Sequence, residues 1–142
     1  MTRTVFAVDT NVIVSGIIGS DPTSPPARIL DAMADGRLVY LMSGSLFAEY
    51  SDVLRRPAIT RLHGLADDEV ARLLTVLAAN AMWREPAATA FAPDPGDNHL
   101  WELLASWPES RLVTGDRRLL DDPPRFGAVL TPREAGDLVG LA

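Results

Sequence analysis

Four acidic residues stand where their carboxylates could share one site: Asp9, Glu49, Asp97 and Asp116. Asp9 directly follows an apolar run at residues 5–8, and Asp116 follows another at residues 112–114 with one glycine between. Carboxylates brought close together repel one another, and a divalent cation relieves that repulsion. The chain has no cysteine, and a ligand set made only of oxygen atoms selects a hard ion such as Mg²⁺ or Mn²⁺. These residue types predict a cation site, provided that the fold gathers them.

Each of the four acids also has a purely structural interpretation. Asp9 could cap the helix that follows it, and Asp97 could be a helix N-cap and nothing more. Asp116 could close a turn after Gly115, and Glu49 could be a surface residue at a helix edge. Taken one at a time, these alternatives stay open, and only a common location of all four acids favours the cation site.

Short apolar runs bounded by turn-forming residues predict five strands. They lie at residues 5–8, 38–42, 81–83, 112–114 and 127–130. Segments with helical periodicity separate them, and the clearest apolar stripe is formed by Leu46, Phe47, Tyr50, Val53 and Leu54. Pro57 is expected to end that helix. Other helices are expected to begin at Pro26, at Asp97 and at the capping box of residues 131–134, and Asp67 or Asp68 is expected to cap a further helix.

This alternation of strands and helices predicts βαβ units, and therefore the α/β class with a parallel sheet of four to five strands between two helical layers. Parallel strands bring all their carboxyl ends to one edge of the sheet, where ligands bind in such folds. Asp9 and Asp116 should emerge at that edge. Glu49 and Asp97 lie in or before helices that begin beside it. The order of the strands does not follow from the pattern.

The composition is that of an ordinary globular chain, and 142 residues are expected to form one domain, residues 1–142. No apolar segment reaches the length of a membrane span, and no secretory signal is expected from the residues before the first strand. The lack of cysteine excludes disulfides and structural zinc of the usual kind. The expectation is a cytoplasmic protein that has no membrane partner.

A formal net charge of −6 argues against a broad basic surface for nucleic acid, but it leaves room for a local one. Two arginine pairs could contact a phosphate backbone: Arg55 with Arg56, and Arg117 with Arg118. The alternative for both pairs is a solvated helix face. His63 and His99 are expected to be exposed helix residues rather than catalysts, and Trp83 and Trp101 are expected to pack in the core.

Four short motifs occur in a recognisable order: Asp9-Thr10-Asn11, Glu49 in a helix that runs into Leu54-Arg55-Arg56-Pro57, Asp94-Pro95-Gly96-Asp97, and Val113-Thr114-Gly115-Asp116. The ordered set resembles the PIN-domain ribonucleases, and among them the bacterial group of toxins from toxin–antitoxin systems related to VapC-like toxins. The similarity extends from Val5 to about Leu130. No single motif decides it, whereas the set as a whole is fairly specific.

The resemblance implies that Asp9, Glu49, Asp97 and Asp116 hold Mg²⁺ or Mn²⁺ and that the reaction is hydrolysis of RNA phosphodiester bonds. It also implies that Asn11, Ser15 and Thr114 line the site as supporting polar groups. A central parallel sheet sandwiched by helices, assembly as a homodimer and regulation by a small antitoxin protein are further expectations from the family.

One position departs from the family pattern. Family members often carry an acid shortly after the Thr-Gly-Asp segment, where this chain has Arg118. Asp121 could replace that acid, and Asp94 could add another, so the number of acids in the site stays open. A rival hypothesis is a catalytically silent PIN-like module that binds RNA or a partner protein. The complete acidic set argues against that rival, because carboxylates gathered without a cation are costly.

Overall fold

In the computed structural model, which describes residues 4–86, 89–124 and 128–141, five parallel strands form one central sheet. The strands are β1 (Val5–Val8), β2 (Val39–Met42), β3 (Met82–Trp83), β4 (Arg111–Val113) and β5 (Ala128–Leu130). Their order across the sheet is β3-β2-β1-β4-β5, and every neighbouring pair is parallel. The predicted α/β class is confirmed, and the sheet has five strands, where four to five were predicted. Gly127, which the last predicted run includes, lies outside the described residues.

Helices flank this sheet, and the described residues contain eight of them. They are α1 (Thr10–Ile18), α2 (Pro25–Ala34), α3 (Gly44–Leu54), α4 (Pro57–His63), α5 (Asp67–Asn80), α6 (Asn98–Ser106), α7 (Arg117–Asp121) and α8 (Pro132–Val139). One 3₁₀ turn, Pro95–Asp97, leads into α6. Helix α1 packs on α2 and α3, and α2 also packs on α5 and α8. Within the described residues, no helix is long and apolar enough to cross a membrane.

Strand β1 occupies the middle of the sheet between β2 and β4. Its four residues are all buried, as a run of four apolar residues in a covered parallel sheet should be. The chain passes from β1 to β2 on one side and reaches β4 on the other, so the strand order reverses at the carboxyl end of β1. Such a reversal opens a crevice between the loops that leave the two neighbouring strands. Asp9 is the residue that enters this crevice from β1.

The predicted helix boundaries are right where the local chemistry is strong. Thr131 caps α8, with its hydroxyl accepting from the amide of Glu134 at 3.1 Å and the Glu134 carboxylate accepting from the amide of Thr131 at 2.9 Å. The expected cap of α5 is wrong, because Ala66 occupies the N-cap position and Asp67 and Asp68 lie in the first turn. There the Glu69 side chain accepts from the amide of Ala66 at 3.0 Å.

Two helices, α4 and α7, were not predicted. Pro57 follows the end of α3 as expected, but it also occupies the first turn of α4, where its fixed φ suits a helix. Helix α4 has no buried residue, and α7 is five residues long with only Leu119 buried. Such short helices carry no apolar periodicity, so a pattern-based prediction cannot detect them.

Candidate functional site

A pocket of about 450 Å³ lies at the carboxyl edge of the sheet, where β1 and β4 end. Each of the four predicted acids lines it, and so do Asn11 and Ser15 from the predicted set of supporting residues. The remaining polar lining comes from Thr10, Arg56, Asp94 and Arg118. The fold thus brings carboxylates from four separate segments of the chain to one opening.

Asp9 lies at the base of this pocket and is only 6% exposed. One carboxylate oxygen accepts from the amide of Thr10 at 2.8 Å, which makes Asp9 the N-cap of α1. The other accepts from the hydroxyl of Thr114 at 2.8 Å and from the Asn11 side-chain amide at 3.2 Å. Asp9 therefore caps α1, as the structural interpretation proposed, and its carboxylate also lines the pocket.

Burial raises the pKa of the Asp9 carboxyl to about 6, from an ordinary value of 3.8. The hydrogen bond from Thr114 opposes this shift, and the negative charges of Glu49 and Asp97 add to it. A carboxylate that keeps such a high pKa despite hydrogen bonds from its neighbours is short of positive charge. The described protein groups around Asp9 therefore compensate its charge only in part.

Thr114 is completely buried and links the end of β4 to the start of α1. Besides donating to Asp9, its hydroxyl accepts from the amide of Asp116 at 3.0 Å and from the Asn11 side chain at 3.2 Å. The Asn11 side-chain oxygen accepts in turn from the amide of Gly115 at 3.0 Å. Thr114 and Asn11 thereby fix the loop that carries Asp116 against Asp9.

Glu49 projects from α3 into the same pocket, with 32% of its side chain exposed. The hydroxyl of Thr10 donates to one of its oxygens, and Nε2 of His99 lies 3.0 Å from the other. The hydrogen bond from His99 lowers the pKa of Glu49, burial raises it, and the bond from Thr10 lowers it again, so the net shift is downward. The interpretation of Glu49 as a surface residue at a helix edge is wrong, because its carboxylate lines the pocket and is bound by Thr10 and His99.

The side chain of His99 is only 17% exposed, so the expectation that it is an exposed helix residue is wrong. Burial lowers its pKa, but the hydrogen bond and charge of Glu49, together with the charges of Asp9 and Asp97, raise it by more, and the net shift is upward. His99 was missed because its partner Glu49 is distant in sequence. The available signal was its position two residues after Asp97, near the start of the same helix.

Asp97 immediately precedes α6, but its side chain makes no capping hydrogen bond. Burial raises the pKa of Asp97, and the negative charges of Asp94, Glu49 and Asp116 raise it further. The interpretation of Asp97 as a cap and nothing more is therefore wrong. Asp94 accepts from the amide of Gly96 at 2.9 Å and also lines the pocket, whereas Asp121 is exposed at the end of α7 and does not.

Asp116 caps α7, since its carboxylate accepts from the amide of Arg118 at 2.9 Å. The Arg118 guanidinium donates to the second oxygen at 3.1 Å, and its hydrogen bonds lower the pKa of Asp116. The same guanidinium lies 3.8 Å from Asp94. Arg118, at the position where the resemblance led us to expect an acid, thus supplies positive charge to this side of the pocket.

The four predicted phosphate-contacting arginines divide into two groups. Arg56 and Arg118 line the pocket, and Arg56 also pairs with Asp52 at 3.0 Å. Arg55 and Arg117 do not line it, and Arg55 is bound to Asp67 at 2.8 Å and to Ser51. One arginine of each predicted pair therefore lies beside the acids.

A hard divalent cation such as Mg²⁺ or Mn²⁺ requires several oxygen ligands around one point. The donor chemistry fits, because the lining is rich in carboxylate oxygens, and burial together with neighbouring negative charge raises the pKa values of Asp9 and Asp97. As the side chains lie, however, no three histidine or acidic groups among the described residues are gathered closely enough to hold one ion. Two carboxylates have other partners, because Glu49 is bound by Thr10 and His99 and Asp116 is bound by Arg118.

A second pocket, of about 470 Å³, lies at the opposite edge of the sheet, beside the amino ends of β1, β4 and β5. Glu109 is the acidic residue in its described lining, and Trp107 and Pro108 contribute apolar surface. It lacks the convergence of carboxylates found at the carboxyl edge. Trp107 also stacks under the guanidinium of Arg84, with 5.0 Å between the charged carbon and the ring centre.

The two tryptophans expected in the core have different environments. Trp101 in α6 is 3% exposed, which confirms the expectation for that residue. Trp83 at the edge strand β3 is 43% exposed, with its ring against Phe47 and its indole nitrogen donating to the carbonyl of Ala78 at 2.9 Å. An edge strand has one side without a neighbouring strand, which explains the exposure. Trp83 does not line the pocket that holds the acids.

The sequence was compared with protein families, with curated proteins and with solved structures. The family described as PIN domain matches residues 5–118, which include all four predicted acids. No curated protein and no solved structure matches the chain. PIN domains are usually nucleases, and nucleases of this family typically use divalent metal ions. The match covers most of the chain, and the chain therefore belongs to the PIN-domain family.

Proposed function

We propose that this protein is a ribonuclease that depends on Mg²⁺ or Mn²⁺ and hydrolyses RNA phosphodiester bonds. The observation that carries the proposal is the common location of Asp9, Glu49, Asp97 and Asp116 in one pocket at the carboxyl edge of the sheet. The four residues come from different segments of the chain. The family match, which implies a nuclease in general terms, supports the same conclusion.

The electrostatics of the pocket support a bound cation. A buried carboxylate is expensive unless positive charge or hydrogen bonds compensate it. Asp9 accepts hydrogen bonds from Thr10, Asn11 and Thr114, and burial and neighbouring charge still hold its pKa at about 6. Arg118, which also lines the pocket, is bound to Asp116 rather than to Asp9. A divalent cation on the Asp9 side would supply the missing charge.

The residues of the chain have distinct parts in this proposal. The cation would be held by Asp9, Glu49, Asp97 and Asp116. Hydrogen bonds of Thr114 and Asn11 hold the loop that carries Asp116 beside Asp9. When bound, Mg²⁺ or Mn²⁺ would supply Lewis-acid activation of water and stabilisation of charge on the attacked phosphate. A nucleophilic side chain is not required for hydrolysis of this type.

The proposed substrate is RNA, contacted through its phosphates. Arg56 and Arg118 lie in the pocket lining and are 59% and 71% exposed, so their guanidinium groups are accessible to a phosphate backbone. The two arginines partly offset the acidic charge that would repel RNA. Single-stranded RNA is the form we propose, because the pocket is open at the surface and receives a flexible strand more readily than a duplex.

A role as the toxin of a toxin–antitoxin pair is the finer part of the proposal. It is supported by the resemblance of the ordered motifs to VapC-like toxins, and it would require a small antitoxin protein as partner. Assembly as a homodimer stays a prediction from the same resemblance. Growth arrest of a bacterial host that expresses the chain, absent when the host expresses Asp9→Asn, would support the toxin role, and unimpaired growth with the wild-type chain would argue against it.

The proposed activity is tested by incubating the protein with labelled tRNA and mRNA pools, with and without Mn²⁺. The matched variants are Asp9→Asn in the pocket and Asp68→Asn on the exposed surface of α5. We expect cleavage that requires Mn²⁺, is lost in Asp9→Asn and is retained in Asp68→Asn. RNA binding without cleavage by the wild-type protein would favour the silent module, and equal cleavage by both variants would reject the role of Asp9.

A further inference from the structure

Each oxygen of the Glu49 carboxylate has its own hydrogen-bond donor. The hydroxyl of Thr10 donates to one oxygen, and Nε2 of His99 lies 3.0 Å from the other. The two donors come from different parts of the chain, since Thr10 begins α1 and His99 lies in the first turn of α6. Together they form a clamp, defined here as Thr10, Glu49 and His99, that joins α1, α3 and α6.

The donors of the clamp are themselves held in place. Thr10 is 4% exposed, and its backbone amide is bound to Asp9, which fixes it beside the end of β1. His99 is followed in α6 by Leu100 and Trp101, both buried in the core. Its Nδ1 atom is buried and has no hydrogen-bond partner among the described residues, so the hydrogen bonding of this ring is directed to Glu49 through Nε2.

The clamp limits the freedom of a side chain that is otherwise flexible. A glutamate has three side-chain torsions, and ordering such a long side chain costs conformational entropy. A carboxylate has about four acceptor sites, one donor on each oxygen occupies two of them, and the remaining two stay available to a cation. Two donors on opposite oxygens therefore orient the carboxylate without blocking it.

We propose that Thr10 and His99 are positioning residues, which hold the Glu49 carboxylate in the orientation that binds the cation. This inference rests on the proposed metal-dependent function. Partners that orient a metal-binding side chain typically contribute about 10- to 100-fold to metal affinity or activity. Cation affinity would then depend on the orientation of the Glu49 carboxylate, which the two hydrogen bonds fix, as well as on its negative charge.

The test compares substitutions that keep or remove the donor at each end of the clamp. His99→Gln places an amide donor near the position of Nε2, whereas His99→Phe keeps a ring of similar size without a donor. At the other end, Thr10→Ser keeps the hydroxyl and Thr10→Val removes it with little change in shape. The dissociation constant for Mn²⁺ is measured by titration calorimetry on the full chain without RNA, and the folded state of each variant is checked by circular dichroism.

We expect His99→Phe and Thr10→Val each to weaken Mn²⁺ binding by about tenfold or more. His99→Gln and Thr10→Ser should stay within about threefold of the wild type. In RNA cleavage, the loss in His99→Phe should be recovered by raising the Mn²⁺ concentration, with KM for RNA unchanged. A purely structural contribution of the ring would not be recovered by more metal.

Two results would overturn the inference while the proposed function stands. One is a wild-type protein that binds Mn²⁺ with the same affinity as both His99→Phe and Thr10→Val. The other is His99→Gln or Thr10→Ser binding as weakly as the variant without a donor at the same position. If one donor-free variant does not fold, the pair at the other end of the clamp decides the test. Failure of the wild-type protein to bind Mn²⁺ would instead overturn the proposed function, and the inference with it.

Discussion

The substitution Asp9→Asn should change how the stability of the metal-free protein depends on pH. The pKa of Asp9 is raised from 3.8 to about 6 in the folded protein, mainly by burial. Between these two values the folded state binds a proton that the unfolded state has released, so the free energy of unfolding falls as the pH rises. Below pH 3.8 the contribution is fully present, and above about pH 6 it is lost. An asparagine at this position does not titrate.

The size of the effect follows from the pKa shift. A rise from 3.8 to about 6 corresponds to about 3 kcal/mol, at about 1.4 kcal/mol for each unit. Asparagine also replaces one acceptor oxygen by an amide nitrogen, so at least one of the hydrogen bonds from Thr10, Asn11 and Thr114 is lost. That loss costs about 1 kcal/mol, and it is the same at every pH. The change with pH therefore isolates the buried charge.

The measurement is urea unfolding of the wild type and Asp9→Asn between pH 4 and pH 7 in the presence of a chelator. We expect the difference between their unfolding free energies to shift by about 2–3 kcal/mol over this range, in favour of Asp9→Asn as the pH rises. Other titrating groups are common to both proteins and largely cancel in the difference. A difference that stays constant within about 0.5 kcal/mol, which is a small mutational effect, would refute the reasoning about the Asp9 charge.

Addition of Mn²⁺ extends the same experiment to the proposed site. A cation that binds the folded state stabilises it by about 2.7 kcal/mol at one hundred times its dissociation constant. We expect Mn²⁺ at pH 7 to stabilise the wild type and to have a much smaller effect on Asp9→Asn. Equal stabilisation of the two proteins would show that Asp9 does not contribute to cation binding.

Three further predictions concern packing and substrate binding. Gly16→Ala should destabilise the protein by about 1–3 kcal/mol, because a Cβ atom there would lie 2.9 Å from the carbonyl oxygen of Pro26 in α2. An unchanged midpoint of urea unfolding would contradict this close packing. Tyr50→Phe should cost about 1–2 kcal/mol, since the buried hydroxyl donates to the carbonyl of Val8, and a thermal midpoint equal to that of the wild type would argue against that contact. Arg118→Ala should raise KM for RNA and reduce the slope of log binding constant against log salt concentration by about one. The matched change Arg117→Ala should do neither. If both changes had a similar effect, the contribution of Arg118 would be that of its charge alone and not of a specific phosphate contact.

Much of the fold could be predicted from local features of the sequence. The apolar run at Val5–Val8 and the alternation of strands with helices specified a parallel sheet, because a strand buried on both faces needs apolar residues throughout. The capping box at Thr131 and Glu134 marked the start of α8 correctly. Helices α4 and α7 could not be predicted, since they bury almost no side chains and their formation depends on neighbouring segments.

The candidate site was predictable to the extent that it follows from topology. The carboxyl ends of parallel strands lie at one edge of the sheet, and this rule alone predicts that Asp9 and Asp116 lie at the same edge. The expectation of an exposed His99 failed because its environment depends on α3, which lies 50 residues earlier in the chain. Sequence spacing also gave no reason to separate Arg118, which lines the pocket, from Arg117, which does not.

The sequence by itself determined the class of the fold, the acids at the strand ends and the family to which they point, because these depend on residue types and on periodicities of a few residues. The tertiary structure alone decided the strand order, the burial that raises the pKa of Asp9 and the partners of each carboxylate. Thr10 meets Glu49 across 39 residues, and Thr114 meets Asp9 across 105. Contacts of that range arise from the packing of whole elements, which local sequence patterns do not encode.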